Sequence, residues 1–352
     1  MIVVTGGAGF IGSAIVWALN LRGLDDIIIA DDLGTSDKWK NLRGLQFKEI
    51  ITKDALVAMF GYDNDETLEM DEDEVLDDIG HAESNLGIEA IIHMGACSDT
   101  TERDAGYLLD NNYGYSKFLA INAVRRGIRF IYASSAATYG DGSLGYDDNE
   151  DELEKLRPLN MYGYSKQLFD VWAKREGLFD IIAGLKFSNV FGPNEYHKAG
   201  MRSMVVQAFE QIQERGTIRL FKSYLDDYAD GEQMRDFVYI KDAVAMVLFF
   251  LDNPEVCGIY NVGAGKARTW NDLANAAFDA LGKKPRIEYI DMPDQLINQY
   301  QYFTELKMDK IINAGYARPS TSLEDGIADY VKNYLVGGDY LDALDPGAIS
   351  IS

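Results

Sequence analysis

Residues 2–12 read Ile-Val-Val-Thr-Gly-Gly-Ala-Gly-Phe-Ile-Gly. An apolar run enters a glycine-rich turn, after which Ile11, Ile15, Val16 and Leu19 recur at helical spacing. Gly6, Gly9 and Gly12 fall three residues apart. This spacing permits a tight turn, brings backbone close to a pyrophosphate and packs a helix hard against its strand. The helix N-terminus then faces the phosphates. A strand, this turn and an amphipathic helix in succession predict a dinucleotide-binding first unit.

Residues 26–32 read Asp-Ile-Ile-Ile-Ala-Asp-Asp, so Asp31 lies about 20 residues beyond the glycines, where a carboxylate can bond an adenosine ribose. Asp31 and Asp32 would repel a ribose 2′-phosphate, whereas Lys38 and Lys53 could neutralise one. Residues 90–98 form a buried strand ending in small residues, which allow backbone to approach a ligand. His93, inside that strand, reads as a satisfied core histidine, and Cys97 as a small buried thiol. A helix over 104–126 carries Asn111 and Asn112, which are costly in a helix unless their amides have partners. Further strands are expected at 129–139 and 180–190. Strands alternating with helices predict an α/β fold, a Rossmann-type doubly wound parallel sheet. Ligands gather at the carboxyl ends of such strands, so Gly9, Ser98, Ser135, Tyr162 and Asn189 point toward one crevice.

Tyr162 and Lys166 are four residues apart in a segment that reads as a helix, which places them on one face. An ammonium beside a phenol favours the phenolate and brings it within range of proton transfer. Alone, the spacing is equally an ordinary surface or core pair. Beside a cofactor floor and the Ser135 hydroxyl, it reads as catalytic.

Beyond Pro193 the periodicity is less regular. Strands at 218–221, 235–243, 258–263 and 285–290, with helices at 201–215, 244–251, 270–281 and 323–334, predict a smaller mixed α/β C-terminal substrate domain. The division is residues 1–190, with an acidic insertion at about 61–85, then 191–335 with some segments returning to the first domain. A glycine- and acid-rich tail at 336–352 is expected to be loosely held.

The net charge of −24 disfavours nucleic acid and anionic membrane as partners. Much of that charge lies in 63–83, which has no Lys or Arg and reads as a solvated face. No run suits a transmembrane helix or a signal peptide, so the expected location is cytoplasmic. Two cysteines without a Cys-x-x-Cys or Cys/His cluster argue against a disulfide framework and against a metal site.

With these residues assembled, the chain resembles the extended short-chain dehydrogenase/reductases, and more closely the ADP-L-glycero-D-manno-heptose 6-epimerase family. Blocks shared by many nucleotide-sugar enzymes are Val-Thr-Gly-Gly-Ala-Gly-Phe-Ile-Gly-Ser13 and Tyr-Gly-Tyr-Ser-Lys166. More discriminating are Gly-Ala-Cys-Ser98, Ser-Asn-Val-Phe-Gly-Pro193 with His197 and Lys198 following, Arg-Asp-Phe-Val-Tyr239 and Tyr300-Gln-Tyr-Phe-Thr304. The resemblance implies a nucleotide-diphosphate-heptose substrate, oxidised and re-reduced at an exocyclic carbon by one nicotinamide, NADP or alternatively NAD. It implies Tyr162 and Lys198 as the two acid/base groups, with Lys166 lowering the Tyr162 pKa and Ser135 bonding the reacting oxygen. Cofactor contacts would come from Gly6, Gly9, Phe10, Ile11, Gly12, Asp31, Asp32, Lys38, Lys53, Met94, Gly95, Ala96, Cys97, Ser98, Asn111, Lys166 and Val190. Substrate contacts would come from Ser135, Asn189, Gly200, Gln207, Phe221, Arg235 and Tyr300. A homo-oligomer, often a pentamer, is also implied.

Several positions depart from the family pattern. Asp32 stands at a usual Asn, Gly200 at a Ser and Gln207 at a His, and 225–234 reads as an insertion. An epimerase acting on a different nucleotide-heptose or a nucleotide-sugar 4-epimerase, which needs no Lys198, therefore stays open. A non-catalytic cofactor-binding protein is the reading from another class. A 4,6-dehydratase would place an Asp–Glu pair after the active-site hydroxyl, where Ala136 and Ala137 stand.

Overall fold

The structure is a computed structural model describing residues 1–61, 86–297, 300–318 and 320–344. The acidic run at 63–83 lies outside the described residues.

The first half alternates strand and helix: β1 (Ile2–Thr5), α1 (Phe10–Leu21), β2 (Ile27–Ala30), β3 (Glu49–Ile51), α2 (Lys53–Met59) and β4 (Ala90–His93). There follow α3 (Ala105–Leu108), α4 (Tyr115–Arg125), β5 (Arg129–Ser135), α5 (Met161–Arg175) and β6 (Ala183–Phe187). A wider π turn, Leu109–Gly114, joins α3 to α4, so the expected 104–126 helix forms with a bulge at the two asparagines. The second half holds β7 (Asn189–Phe191), α6 (Met204–Arg215), β8 (Ile218–Phe221), β9 (Met234–Tyr239), α7 (Ile240–Asp252) and β10 (Gly258–Val262). It ends with β11 (Ala267–Thr269), α8 (Trp270–Ala280), β12 (Ile287–Ile290), α9 (Asp294–Ile297), α10 (Asp309–Asn313) and α11 (Leu323–Tyr330).

Seven parallel strands make the main sheet, in the order β3-β2-β1-β4-β5-β6-β10. Side chains alternate across a strand, so a sheet covered on both faces needs apolar residues at consecutive positions. β1 and β2 meet this need. Ile2, Val4, Ile27 and Ile29 pack with α1 and α7, while Val3 and Ile28 pack with α4 and α5 on the opposite face. The order reverses beside β1, between β2 and β4, and this is where such sheets open a ligand crevice.

β7, β9 and β11 form a mixed three-stranded sheet, and β8 pairs with β12 in parallel. These smaller sheets and α6 and α8 sit over the carboxyl ends of the main strands. β10 leaves them to complete the edge of the large sheet. No described helix is long and apolar enough to cross a membrane.

The expectation of a loose tail fails for 336–344. Leu341 is buried, its amide donates to Asn194 Oδ1 at 3.0 Å, and the Ala343 amide donates to Gly44 O at 3.0 Å. The Tyr340 ring meets Tyr196 edge-on at 4.9 Å and lies under the Arg43 guanidinium. Glycine and acid content suggested a solvated segment, but a tyrosine and a leucine between the acids supply its anchors.

Candidate active site

A cavity of about 570 Å³ opens where the sheet order reverses. The glycine turn makes its floor, with Gly6 at φ +64° and a Cβ on Gly12 placed only 2.1 Å from Gly6 O. A larger residue at 12 would push α1 off the turn, so the cradle has the bare-backbone shape that a dinucleotide pyrophosphate requires. Asp31 holds the cradle from the side: Oδ2 accepts the Ala8 amide at 2.8 Å and Oδ1 accepts from Lys38 Nζ at 2.6 Å. Lys53 reaches the same end, donating to Asp110 and Asn111 and lying 4.8 Å from the Tyr115 ring centre. Residues 94–98, at the end of β4, form one wall. All the expected cofactor residues line this cavity except Val190, which lines its neighbour.

α5 carries Tyr162 and Lys166 to the crevice. Asn160 caps it by accepting the Gly163 amide at 2.8 Å. Gly163 lets the first turn press on the 3₁₀ turn Ala136–Tyr139, since a Cβ there would meet Ala137 O at 2.8 Å. That contact brings Tyr162 beside Ser135. Burial raises the Tyr162 phenol, and a hydrogen bond with Ser135 pulls it back. Lys166 Nζ donates to Ala133 O at 2.8 Å, so its ammonium is engaged with β5, and burial brings Lys166 itself down to about 8.

Behind α5 is a buried polar cluster that the sequence reading did not single out. Lys186 and Asp170, both fully buried, pair at 2.8 Å. Asp170 also accepts from Tyr132 and Ser134, and Lys186 donates to Thr138, whose hydroxyl bonds Ser135 O. A buried charge is tolerated only when paired and hydrogen-bonded, and here the bonds link α5 and β6 to the strand end carrying Ser135. Asn112 makes a second tie. It bonds both the amide and the carbonyl of Cys97, and donates to Ser165 Oγ. His93 bridges Thr5 and Ser116, and burial lowers it to about 3, so it is a neutral core residue as expected.

A second cavity, about 880 Å³, lies between the main sheet and the smaller sheets. Ser135, Asn189, Gln207, Phe221 and Tyr300 line it. Gly200 does not, being exposed outside both cavities. Arg235 stands one layer back. Its guanidinium lies 5.1 Å from the Tyr300 ring centre and 5.7 Å from that of Trp270, and Nη1 bonds Met234 O. Arg202, Arg215 and Arg219 line the wall, and none of these three was singled out from sequence. One precedes α6, one ends it and one lies on β8, so their spacing carries no local signal.

Lys198 sits in the short turn Tyr196–Met201, where Ala199 has φ 45° and Asn194, just before it, φ 79°. Non-glycine residues in such conformations cost about 1–3 kcal/mol each and persist only where the surroundings over-determine them. Here Glu195 anchors both sides of the loop, accepting from Gly192 N and from the amide and hydroxyl of Ser203. Burial lowers the Lys198 ammonium and the Glu195 charge partly restores it. Its Nζ lies 5.6 Å from the Phe10 ring centre.

The two cavities meet. Phe10, Ile11, Ser98, Tyr162, Phe187, Lys198 and Met201 line both, so the two acid/base candidates stand at the junction. This is the site of a nicotinamide-dependent enzyme of nucleotide sugars in its architecture, and the sequence relationships agree. The chain belongs to the NAD dependent epimerase/dehydratase family, whose profile matches residues 2–263. It is 52% identical over 339 residues to the ADP-L-glycero-D-manno-heptose-6-epimerase of Nitratidesulfovibrio vulgaris strain DP4, covering 96% of this chain and 99% of that one. It is 49% identical to the protein of that name from Fusobacterium nucleatum, with 96% and 99% covered. Among solved structures, it resembles the Helicobacter pylori ADP-L-glycero-D-manno-heptose-6-epimerase at TM-score 0.72 and 28% identity, over 94% and 95% of the two chains. The Thermus thermophilus UDP-glucose 4-epimerase, solved with NAD, matches at TM-score 0.65 and 26% identity over 94% and 97%.

Proposed function

We propose that this chain is an ADP-L-glycero-D-manno-heptose 6-epimerase, inverting the sixth carbon of ADP-D-glycero-β-D-manno-heptose. The observation that carries the reading is the position of Tyr162 and Lys198, both at the junction of the cofactor and substrate cavities. A bound nicotinamide supplies hydride acceptance from the sixth carbon and hydride return to the opposite face of the ketone. The exocyclic carbon rotates about its bond to the ring between the two steps, so its oxygen occupies two places. One acid/base group cannot easily serve both. Tyr162, assisted by Ser135, handles the proton at one place, and Lys198 handles it at the other. Lys198 is suited to the task because burial lowers its pKa toward the working range of a general base. Phe10, Ile11 and Phe187 give the junction of the cavities an apolar lining.

Incubation with the D-glycero substrate, following the sixth carbon by NMR, tests the reading. Inversion is expected. Turnover of a UDP- or GDP-sugar instead, with no inversion of the heptose, would establish the 4-epimerase alternative.

NADP is the proposed cofactor, seated with its 2′-phosphate between Lys38 and Lys53. Both lysines line the adenosine end of the crevice, and the Lys38 ammonium bonds Asp31 there. A charge-assisted bond of about 1.5–3 kcal/mol corresponds to roughly 10–100-fold in affinity. Lys38→Ala should weaken NADP by that factor and leave NAD nearly unchanged, as measured by calorimetric titration. Equal loss for both dinucleotides would remove the 2′-phosphate role. A homo-oligomer is proposed on the resemblance alone, and light scattering of the purified protein reads it.

A further inference from the structure

The loop that carries Lys198 is held from a distant part of the chain. Asn194, fully buried, donates to Ser13 Oγ at 3.0 Å and accepts the Leu341 amide at 3.0 Å. Tyr196 OH donates to Asp339 O at 2.8 Å, and its ring packs edge-on against Tyr340 at 4.9 Å. The same short segment grips the loop beyond Lys38. The Ala343 amide bonds Gly44 O, and Tyr340 lies 4.9 Å from the Arg43 guanidinium. Asn41 joins the two loops directly, donating to Asn194 O at 3.0 Å and to Ala8 O in the glycine turn at 2.9 Å.

None of residues 339–343 lines either cavity. They touch no position that substrate or cofactor could occupy, yet they contact residues four and two positions before Lys198. The positive φ values at Asn194 and Ala199 leave the loop unable to hold its shape by local preference. Tyr162, by contrast, stands on a capped helix that this segment does not touch.

We propose that residues 339–343 are a brace that positions Lys198, with Tyr340 and the Leu341 amide as its two contacts. They are positioning residues and not catalytic ones. The inference rests on the two-base reading given above, and it makes the second base, but not the first, dependent on the brace.

The test uses the cofactor-loaded full chain with Tyr340→Ala, and with Tyr196→Phe as a milder variant that keeps the ring and removes the hydroxyl, which bonds Asp339 O and meets the Tyr330 hydroxyl. Each is given the D-glycero and the L-glycero epimer separately in single turnover, read by nicotinamide absorbance. Lys198→Met is run alongside. In parallel, an amine-selective reagent labels the unaltered protein, Tyr340→Ala and Tyr196→Phe, and mass spectrometry gives the rates at Lys198 and Lys166. A misplacement of about 1 Å costs on the order of 100-fold. Tyr340→Ala should therefore slow oxidation of the epimer that depends on Lys198 by roughly 10–100-fold, with little effect on the other epimer. Lys198→Met should slow the same epimer. Labelling at Lys198 should change several-fold while Lys166 keeps its rate. Unchanged Lys198 labelling in both variants overturns the brace, and so does equal slowing of both epimers where Lys198→Met slows only one. If Lys198→Met itself shows no preference between epimers, the two-base reading falls, and the labelling comparison still decides the brace because it needs no turnover.

Discussion

The two acid/base candidates face the same junction but are held in opposite ways. Tyr162 belongs to a 15-residue helix with its own cap, and Lys166 and Asp170 follow at four-residue intervals on the same helix and bond it to β5. Lys198 belongs to an irregular turn with two strained residues, and its supports come from α1, from the loop at 41, from Glu195 and from residues 339–341. Regular secondary structure fixes a side chain through local bonds that the sequence repeats. An irregular loop is fixed only when separate parts of the chain converge on it. The first arrangement is robust and readable. The second is reached only in the finished fold.

The largest effect that probes this contrast is removal of the phenol. Tyr162→Phe should lower turnover by up to about 10⁴-fold, the upper range for a general acid/base, with the thermal midpoint nearly unchanged. Retention of near-normal turnover would shift both proton transfers to Lys198. Next comes the buried pair behind the helix. Asp170→Asn leaves the Lys186 ammonium without its counter-charge and should destabilise the fold by about 3–5 kcal/mol in urea. The double change Asp170→Leu with Lys186→Met should recover only part of that loss, because it leaves the buried Tyr132 and Ser134 hydroxyls unpaired. If the single change costs nothing, the helix is not anchored through this pair.

The smallest effect is on pH dependence. Lys166 is a base whose charged form is disfavoured by burial, with its pKa brought from 10.5 to about 8. Its ammonium fraction, and turnover that relies on it, should fall as pH rises through about 8. The stability sign is opposite. The unfolded chain holds the proton up to 10.5 while the folded one releases it from about 8, so stability contributed by this group rises across that window. Lys166→Arg should move the alkaline limb of the rate profile upward, and an unmoved limb would assign it to another group.

Much of the helix side was legible in the sequence. The glycine spacing, Asp31, the small residues at 94–98 and the Tyr162–Lys166 interval are local patterns, and the structure brings them to one crevice. Lys186 was legible too but passed over: it interrupts the apolar strand Ala-Gly-Leu-Lys-Phe187, where a charge needs a buried partner. The pair of asparagines was noticed, though Asn112 rather than Asn111 makes the buried bonds. The loop side was not legible from spacing. Lys198 came from resemblance alone, and Glu195, Asn194 and the tail contacts join residues too far apart for any periodicity to link them. Arg235, a substrate contact implied by resemblance alone, lies against the rings of Tyr300 and Trp270, one layer behind the cavity wall.

The brace also sets an order of events during synthesis. The last strand of the main sheet ends at Val262, and Asp339 follows about 80 residues later. At about 5–20 residues per second, a growing chain spends roughly four to fifteen seconds with the sheet and the first base in place and no brace for the second. Over that interval it should seat a dinucleotide yet invert no sugar, and ribosome-stalled chains stopped before residue 339 would show whether nucleotide binding precedes turnover in this way. The enzyme would then acquire its cofactor as a nascent chain and its stereochemical function only as a finished one.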